Sequence, residues 1–282
     1  MLVIHTPAQW QTIRLQLIHS HKTLGLVPTM GALHQGHLDL VSRSLEKCDY
    51  TIVSIFVNPT QFNNPEDFDK YPQSLEQDLE LLEQAGVDAV FVPTVETMYP
   101  KKPEITLDFG SLERVLEGAF RPGHFNGVGL VVSKLFHMIQ PDIAFFGQKD
   151  LQQVAIIHRL VSEFCFPVKL DVVPTKREAD GLAMSSRNRR LGDSQRKLAL
   201  ILFQSLSDAK KLLLKGHAWD AIKKSVETLF EKEEGVKLDY FSLVEREKFE
   251  LLDSYDPAVK SSICVAAFVG EIRLIDNMPI NA

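Results

Sequence analysis

Between Pro28 and His37 the chain reads PTMGALHQGH, which sets His34 and His37 three residues apart and puts Gly31 and Gly36 beside them. The apolar run Leu24–Val27 comes just before, and LDLVSRSLEKC just after carries Leu38, Val41 and Leu45 at helical spacing. A buried strand is therefore expected to pass through this turn into a helix beginning at His37. The first N–H groups of such a helix have no partner within it, and its dipole favours negative charge, so the turn is a seat for phosphate. Imidazoles there add hydrogen-bond donors, and glycines let the backbone approach a ligand closely. Two other chemistries use the same residue types. Either histidine could cap the helix. The pair could also ligate zinc, but catalytic zinc normally takes three protein ligands, no third is apparent nearby, and the glutamate of His-Glu-x-x-His is absent.

A second stretch, PTKREADGLAMSSRN (Pro174 to Asn188), presents two arginines, a lysine, two adjacent serines and a glycine. Charge-assisted and hydroxyl hydrogen bonds from such a set suit a polyphosphate, although a polar linker has the same composition. Taken with the histidine turn it reads as a clamp, with Gly181 as a hinge.

The elements that must carry these groups alternate up to about Pro174. Thr6 caps a helix with Pro7 at its first position. The strand LGLV, the helix from His37, the strand Thr51 to Val57, the helix SLEQDLELLEQA and the strand VDAVFV follow. After an irregular stretch come the helix GLVVSKLFHMI, the strand Ile143 to Phe146, the helix LQQVAIIHRLVSEF and the strand KLDVV. Strand and helix in alternation mean crossover units on a parallel sheet, which binds ligands beyond the carboxyl ends of its strands. After Asp180 two long helices, one over SQRKLALILFQSLSDAKKLLLK, precede three strands. The last two join at Gly270-Glu271 as a hairpin, making a small α+β domain. The expected divisions are 1–175, a hinge and phosphate-binding loop over 176–188, and 189–282.

Composition bounds the function. The chain has 282 residues, 45% hydrophobic, with a formal charge of −6 and its basic residues scattered, so nucleic acid is not an expected partner. Cys48, Cys165 and Cys264 lie far apart, which suggests neither a disulfide framework nor a cysteine zinc site. No apolar run is long enough for a membrane span, and the N-terminal residues lack the pattern of a signal peptide; a cytoplasmic protein is expected.

PTMGALHQGH, FVNPTQF, Tyr71-Pro72, RPGHFNGV, FFGQKDLQQ and PTKREADGLAMSSRN, in this order, resemble the pantothenate synthetase (pantoate–β-alanine ligase) family over nearly the whole chain. The resemblance implies a Rossmann-like domain with a smaller C-terminal α+β lid domain and a homodimer. It also implies ATP-dependent joining of pantoate to β-alanine through a pantoyl-adenylate, releasing AMP and pyrophosphate. By the same resemblance His34, His37 and Lys149 are catalytic, and Met30, Gly31, Gly147 and Asp150 also bind ATP. Ser185, Ser186 and Arg187 hold the β- and γ-phosphates, while Lys176 and Met184 frame the adenine. Gln61 and Gln153 are the pantoate binders, and Gln61 and Asn58 contact β-alanine. Where some relatives carry a carboxylate pair for magnesium this chain reads Gln77-Asp78, leaving Asp78 as the expected magnesium contact. An adenylyltransferase that leaves AMP on its product, and a non-catalytic nucleotide sensor, are the alternative readings.

Overall fold

The computed structural model describes residues 1–281. Its first body comprises Met1–Gln148 and Ile156–Pro174. Here β1 (Leu2–Ile4), β2 (Leu24–Thr29), β3 (Tyr50–Ile55), β4 (Ala89–Phe91), β5 (Ile143–Gly147) and β6 (Lys169–Val173) form one sheet in the order β1-β4-β3-β2-β5-β6, and every adjacent pair is parallel. Leu26, Val27, Ile52, Val53, Val90 and Phe145 are fully buried, as expected of a parallel sheet covered on both faces by crossover helices. From β2 the chain winds out through β3 to β4, then returns to the other side of β2 as β5. The winding direction thus reverses between β2 and β5, and the crevice outside their carboxyl ends is where such sheets take ligands.

Thr6 caps the helix Pro7–His19 in a capping box with Gln9, and Trp10 is buried with its indole N–H donating to the Ile139 carbonyl at 3.0 Å. The helix after β2 spans Gln35–Lys47, two residues earlier than its apolar spacing predicts, because His34 itself is the N-cap. Strand β1 escaped sequence reading, being three residues long with Leu2 and Val3 exposed.

The second body comprises Lys149–Ala155 together with the chain from Thr175. Lys149–Ala155, expected within the first domain, groups here with the C-terminal elements. Strands β7 (Val236–Glu245), β8 (Leu251–Leu252), β9 (Ser261–Val269) and β10 (Ile272–Pro279) make an antiparallel sheet in the order β10-β9-β7-β8. The expected hairpin at Gly270 joins β9 to β10. Helices Leu200–Leu214 and Trp219–Lys232 enclose a core in which Trp219 stacks on Phe241, centroids 5.6 Å apart, beside Leu206, Ile263, Val265 and Ala267. The single long helix expected over SQRKLALILFQSLSDAKKLLLK is two, Asp193–Leu198 and Leu200–Leu214, broken at the fully buried Ala199.

Candidate active site

The histidine turn leaves the carboxyl end of β2. Thr29 Oγ1 donates to the Ser54 carbonyl at 2.8 Å and accepts from the Gly31 N–H at 3.2 Å, tying the exit of β2 to β3. Gly31 and Ala32 then adopt consecutive left-handed conformations, φ 78° and 50°. For Ala32 this costs about 1 kcal/mol. The buried carboxylate of Asp78 holds the turn in this shape. Its Oδ2 accepts from the Ala32 N–H and its Oδ1 from the Leu33 N–H, each at 2.8 Å, and Ser74 Oγ donates to Oδ1 at 3.2 Å. Gly31 is required twice over, since a Cβ there would lie 3.0 Å from Asp78 Oδ2 on a backbone that disfavours any side chain.

Asp78, the expected magnesium contact, is thus also the residue that holds this turn. The residue is 1% exposed and both carboxylate oxygens accept from the protein. Among the described residues no group of three or more His, Cys, Asp or Glu side chains is arranged to hold a metal ion.

Both histidines are used by the helix start in a way that defines their chemistry. His34 Nδ1 accepts from the Gly36 N–H at 3.1 Å, and His37 Nδ1 accepts from the His34 N–H at 3.2 Å. A ring nitrogen that accepts carries no proton, so each neutral imidazole holds its proton on Nε2 as a donor. The rings lie 4.0 Å apart, tilted by 35°. The capping role and the phosphate role, rivals in the sequence, are therefore compatible: the caps orient the rings through Nδ1, and the donor that suits an anion is on Nε2. Both imidazoles are half-buried, next to the helix N-terminus.

Beside this turn Gln61 ends a short 3-10 turn, Pro59–Gln61, and is 8% exposed. Its Oε1 accepts from Asn58 Nδ2 at 3.1 Å, while its Nε2 donates to the Met30 sulfur at 2.9 Å. A thioether is a weak acceptor, so a substrate hydroxyl or carboxylate can take over that donor at little cost. Asn58 is 1% exposed and committed to the protein. Its amide also donates to the Gly127 carbonyl at 3.2 Å, and its Oδ1 accepts from Tyr99 Oη and Thr60 Oγ1, both at 2.9 Å. Asn58 thus supports the Gln61 amide from within the protein.

Two further residues of this cluster were missed. His124, 6% exposed, binds the Gln61 carbonyl through Nδ1 at 2.8 Å, and Arg121 Nη1 lies 3.1 Å from its Nε2. Because an arginine only donates, His124 accepts at Nε2 and donates from Nδ1. Burial raises the Tyr99 hydroxyl above its usual range, against the lowering effect of Thr60 and Asn58. His124 stood in RPGHFNGV with no role; the bracketing Gly123 and Gly127 were the available signal.

Gly147 ends β5, the strand beside β2. In the second body Lys149 and Asp150 lie in a 3-10 turn and Gln153 in the first turn of the following helix, half-buried. Lys149 Nζ is 4.0 Å from Asp150 Oδ1 with its side chain 19% exposed. The loop after β6 is a small closed unit. Met184 N–H donates to the Lys176 carbonyl at 3.0 Å, Glu178 N–H to the Leu182 carbonyl at 2.8 Å, and Arg177 pairs with Ala183. Ser185 then caps the 3-10 turn Ser186–Arg190, its Oγ accepting from the Arg187 N–H at 3.3 Å, and Ser186 is buried. Lys149, Asp150 and Gln153 are thus gathered with Lys176, Met184, Ser185, Ser186 and Arg187 in the second body, and Met30, Gly31, His34, His37, Asn58, Gln61 and Gly147 in the first.

A family model described as pantoate-beta-alanine ligase matches residues 2–279. The chain belongs to this family. A pantothenate synthetase from Thermoanaerobacter sp. (strain X514) is 50% identical over 260 residues, covering 92% of this chain and 91% of the relative. Another from Leptospira biflexa is 47% identical over 98% of both chains. Among solved structures, pantothenate synthetase from Thermus thermophilus superposes over 100% of both chains with a TM-score of 0.92 at 38% identity. A pantoate-beta-alanine ligase from Francisella tularensis, complexed with beta-gamma ATP and beta-alanine, gives 0.82 at 34% identity, covering 99% of this chain and 98% of that one. Membership in the pantoate-beta-alanine ligase family makes the chain a carbon–nitrogen bond-forming ligase on an α/β Rossmann-like fold, and it disfavours the adenylyltransferase and sensor readings.

Proposed function

We infer that the chain condenses pantoate with β-alanine in two steps. A pantoate carboxylate oxygen attacks the α-phosphorus of ATP, the bond from that phosphorus to the β-phosphate oxygen breaks, and pyrophosphate leaves. The amine of β-alanine then attacks the carbonyl of the pantoyl-adenylate. It loses a proton, and AMP departs with the former carboxylate oxygen. The observation that carries this reading is the pair of imidazoles at the sheet's reversal point, each accepting a backbone N–H at Nδ1 and so presenting Nε2–H. Donors fixed in advance act most strongly where charge develops, on the α-phosphate and the leaving oxygen.

The remaining roles follow the same logic. Met30, Gly31, Gly147 and Asp150 line the nucleotide; Lys149 offsets phosphate charge; Ser185, Ser186 and Arg187 hold the departing pyrophosphate; Lys176 and Met184 frame the adenine. Gln61, held by Asn58 and His124, takes pantoate together with Gln153 and receives β-alanine. Magnesium, bound with the triphosphate, would neutralise part of its charge. The enzyme acts as a cytoplasmic homodimer. The deciding experiment is exchange of labelled pyrophosphate into ATP, which should require pantoate and proceed without β-alanine. In the full reaction carboxylate-¹⁸O pantoate should deliver its label to AMP. Label in inorganic phosphate, with ADP as co-product, would refute adenylate chemistry.

A further inference from the structure

The final strand β10 contains two deeply buried polar residues that no motif accounts for, Asp276 and Asn277, 4% and 2% exposed. Asn277 Nδ2 donates to the main-chain carbonyl of Lys149 at 2.9 Å. The Asp276 carboxylate receives both arms of the Arg177 guanidinium, at 2.6 and 3.0 Å, and its Oδ1 accepts the Asn277 N–H at 2.7 Å. Arg177 also donates to the Asn277 and Gly181 carbonyls, at 3.1 and 3.0 Å, and lies over the Phe203 ring, 4.9 Å from its centroid. Two adjacent residues of one strand therefore tie down the segment that bears Lys149 and, through Arg177, the loop that bears Ser185 and Ser186. Apolar residues would fill these positions with less desolvation, so the polar pair is best explained by what it holds. The grouping of Lys149–Ala155 with the C-terminal elements agrees with this anchoring.

We propose that Asn277 is a positioning residue for the ligase reaction, fixing the main chain of Lys149 so that its ammonium is aimed at the phosphates, while Asp276 does the same for the serine loop through Arg177. This rests on the role given to Lys149 above. A donor removed here frees the lysine's backbone, and misplacement by about 1 Å lowers a rate by up to a hundredfold. The test is a double-mutant cycle read by the kcat of pantoate-dependent pyrophosphate exchange in wild type, Lys149→Ala, Asn277→Ala and the double variant. Lys149→Ala should lose about a hundredfold or more and Asn277→Ala about tenfold, and the double variant should match Lys149→Ala within about twofold, since residues acting through one group are not additive. A further tenfold loss from Asn277→Ala in the Lys149→Ala background, or no loss in wild type, overturns the positioning role alone. Wild-type turnover in Lys149→Ala overturns the lysine's role and this one with it. Should Asn277→Ala fail to accumulate as folded protein, Asn277→Leu, which fills a similar volume without the donor and adds no charge, completes the same cycle.

Discussion

Replacing Asp78 by asparagine separates a turn-holding carboxylate from a metal ligand. Asparagine keeps the shape but turns one acceptor oxygen into a donor. If Nδ2 takes the place of Oδ2 it confronts the Ala32 N–H, and in the opposite orientation it confronts the Leu33 N–H, so one buried amide loses its partner either way. An unsatisfied buried donor costs about 1–3 kcal/mol, and the surviving bond loses its charge assistance, worth about 1 kcal/mol. Part of this is offset because a neutral amide is cheaper to bury than a carboxylate. The net is about 2 kcal/mol, which lowers the melting temperature by about 4–8 °C for a body of this size. The effect on turnover should exceed that on stability. The left-handed pair Gly31-Ala32 relaxes when its clamp weakens and carries both imidazoles with it, and a shift of about 1 Å is enough for a hundredfold loss. Calorimetry with pyrophosphate exchange measured across a magnesium titration is the assay. An unchanged melting temperature with full recovery of exchange at high magnesium would refute the argument, because only a metal ligand is rescued that way.

Two further outcomes follow from packing and exposure. A Cβ on Gly127 would lie 2.2 Å from the Thr60 carbonyl oxygen and 2.6 Å from the Gln61 nitrogen, so Gly127→Ala must push the Pro59–Gln61 turn off its helix; the apparent KM for pantoate should rise at least tenfold, and an unchanged KM would remove Gln61 from the pantoate site. Burial, reinforced by Asp142, Asp49 and Asp171, pushes the Cys48 thiol up to about 11, leaving only about one molecule in a thousand as thiolate at pH 8. Cys264 is buried and Cys165 exposed, so brief iodoacetamide treatment of the native protein should label Cys165 alone by peptide mass spectrometry, and equal labelling of Cys48 would contradict the burial.

The residues proposed to meet the ligand and the residues that position them differ in how far they can be read from sequence. His34 and His37 were legible because their whole device is local: strand, turn and helix lie within a few residues, and the caps run from His34 to Gly36 and from His37 back to His34. The alternating rhythm of the first body was legible for the same reason, each buried strand being a short apolar run with its helix beside it in the chain. The turn-holding role of Asp78 had no local mark, because its partner Ala32 lies 46 residues earlier. His124 and Gln61 are 63 residues apart, and Asn277 and Lys149 128 apart. No periodicity or spacing rule spans such distances; only the folded chain brings a buried donor to a particular carbonyl. The break at Ala199 is a smaller case, a helical pattern overridden where the chain turns into the core. These supports are also where single substitutions should do the most harm for the least visible reason. Each satisfies a backbone group buried with it, so its loss leaves that group unpaired as well as the ligand-facing side chain loose. The distant pairs thus join stability to catalysis, and in Asp78, His124 and Asn277 the two should fail together, whereas loss of a histidine Nε2–H should lower turnover with the fold intact.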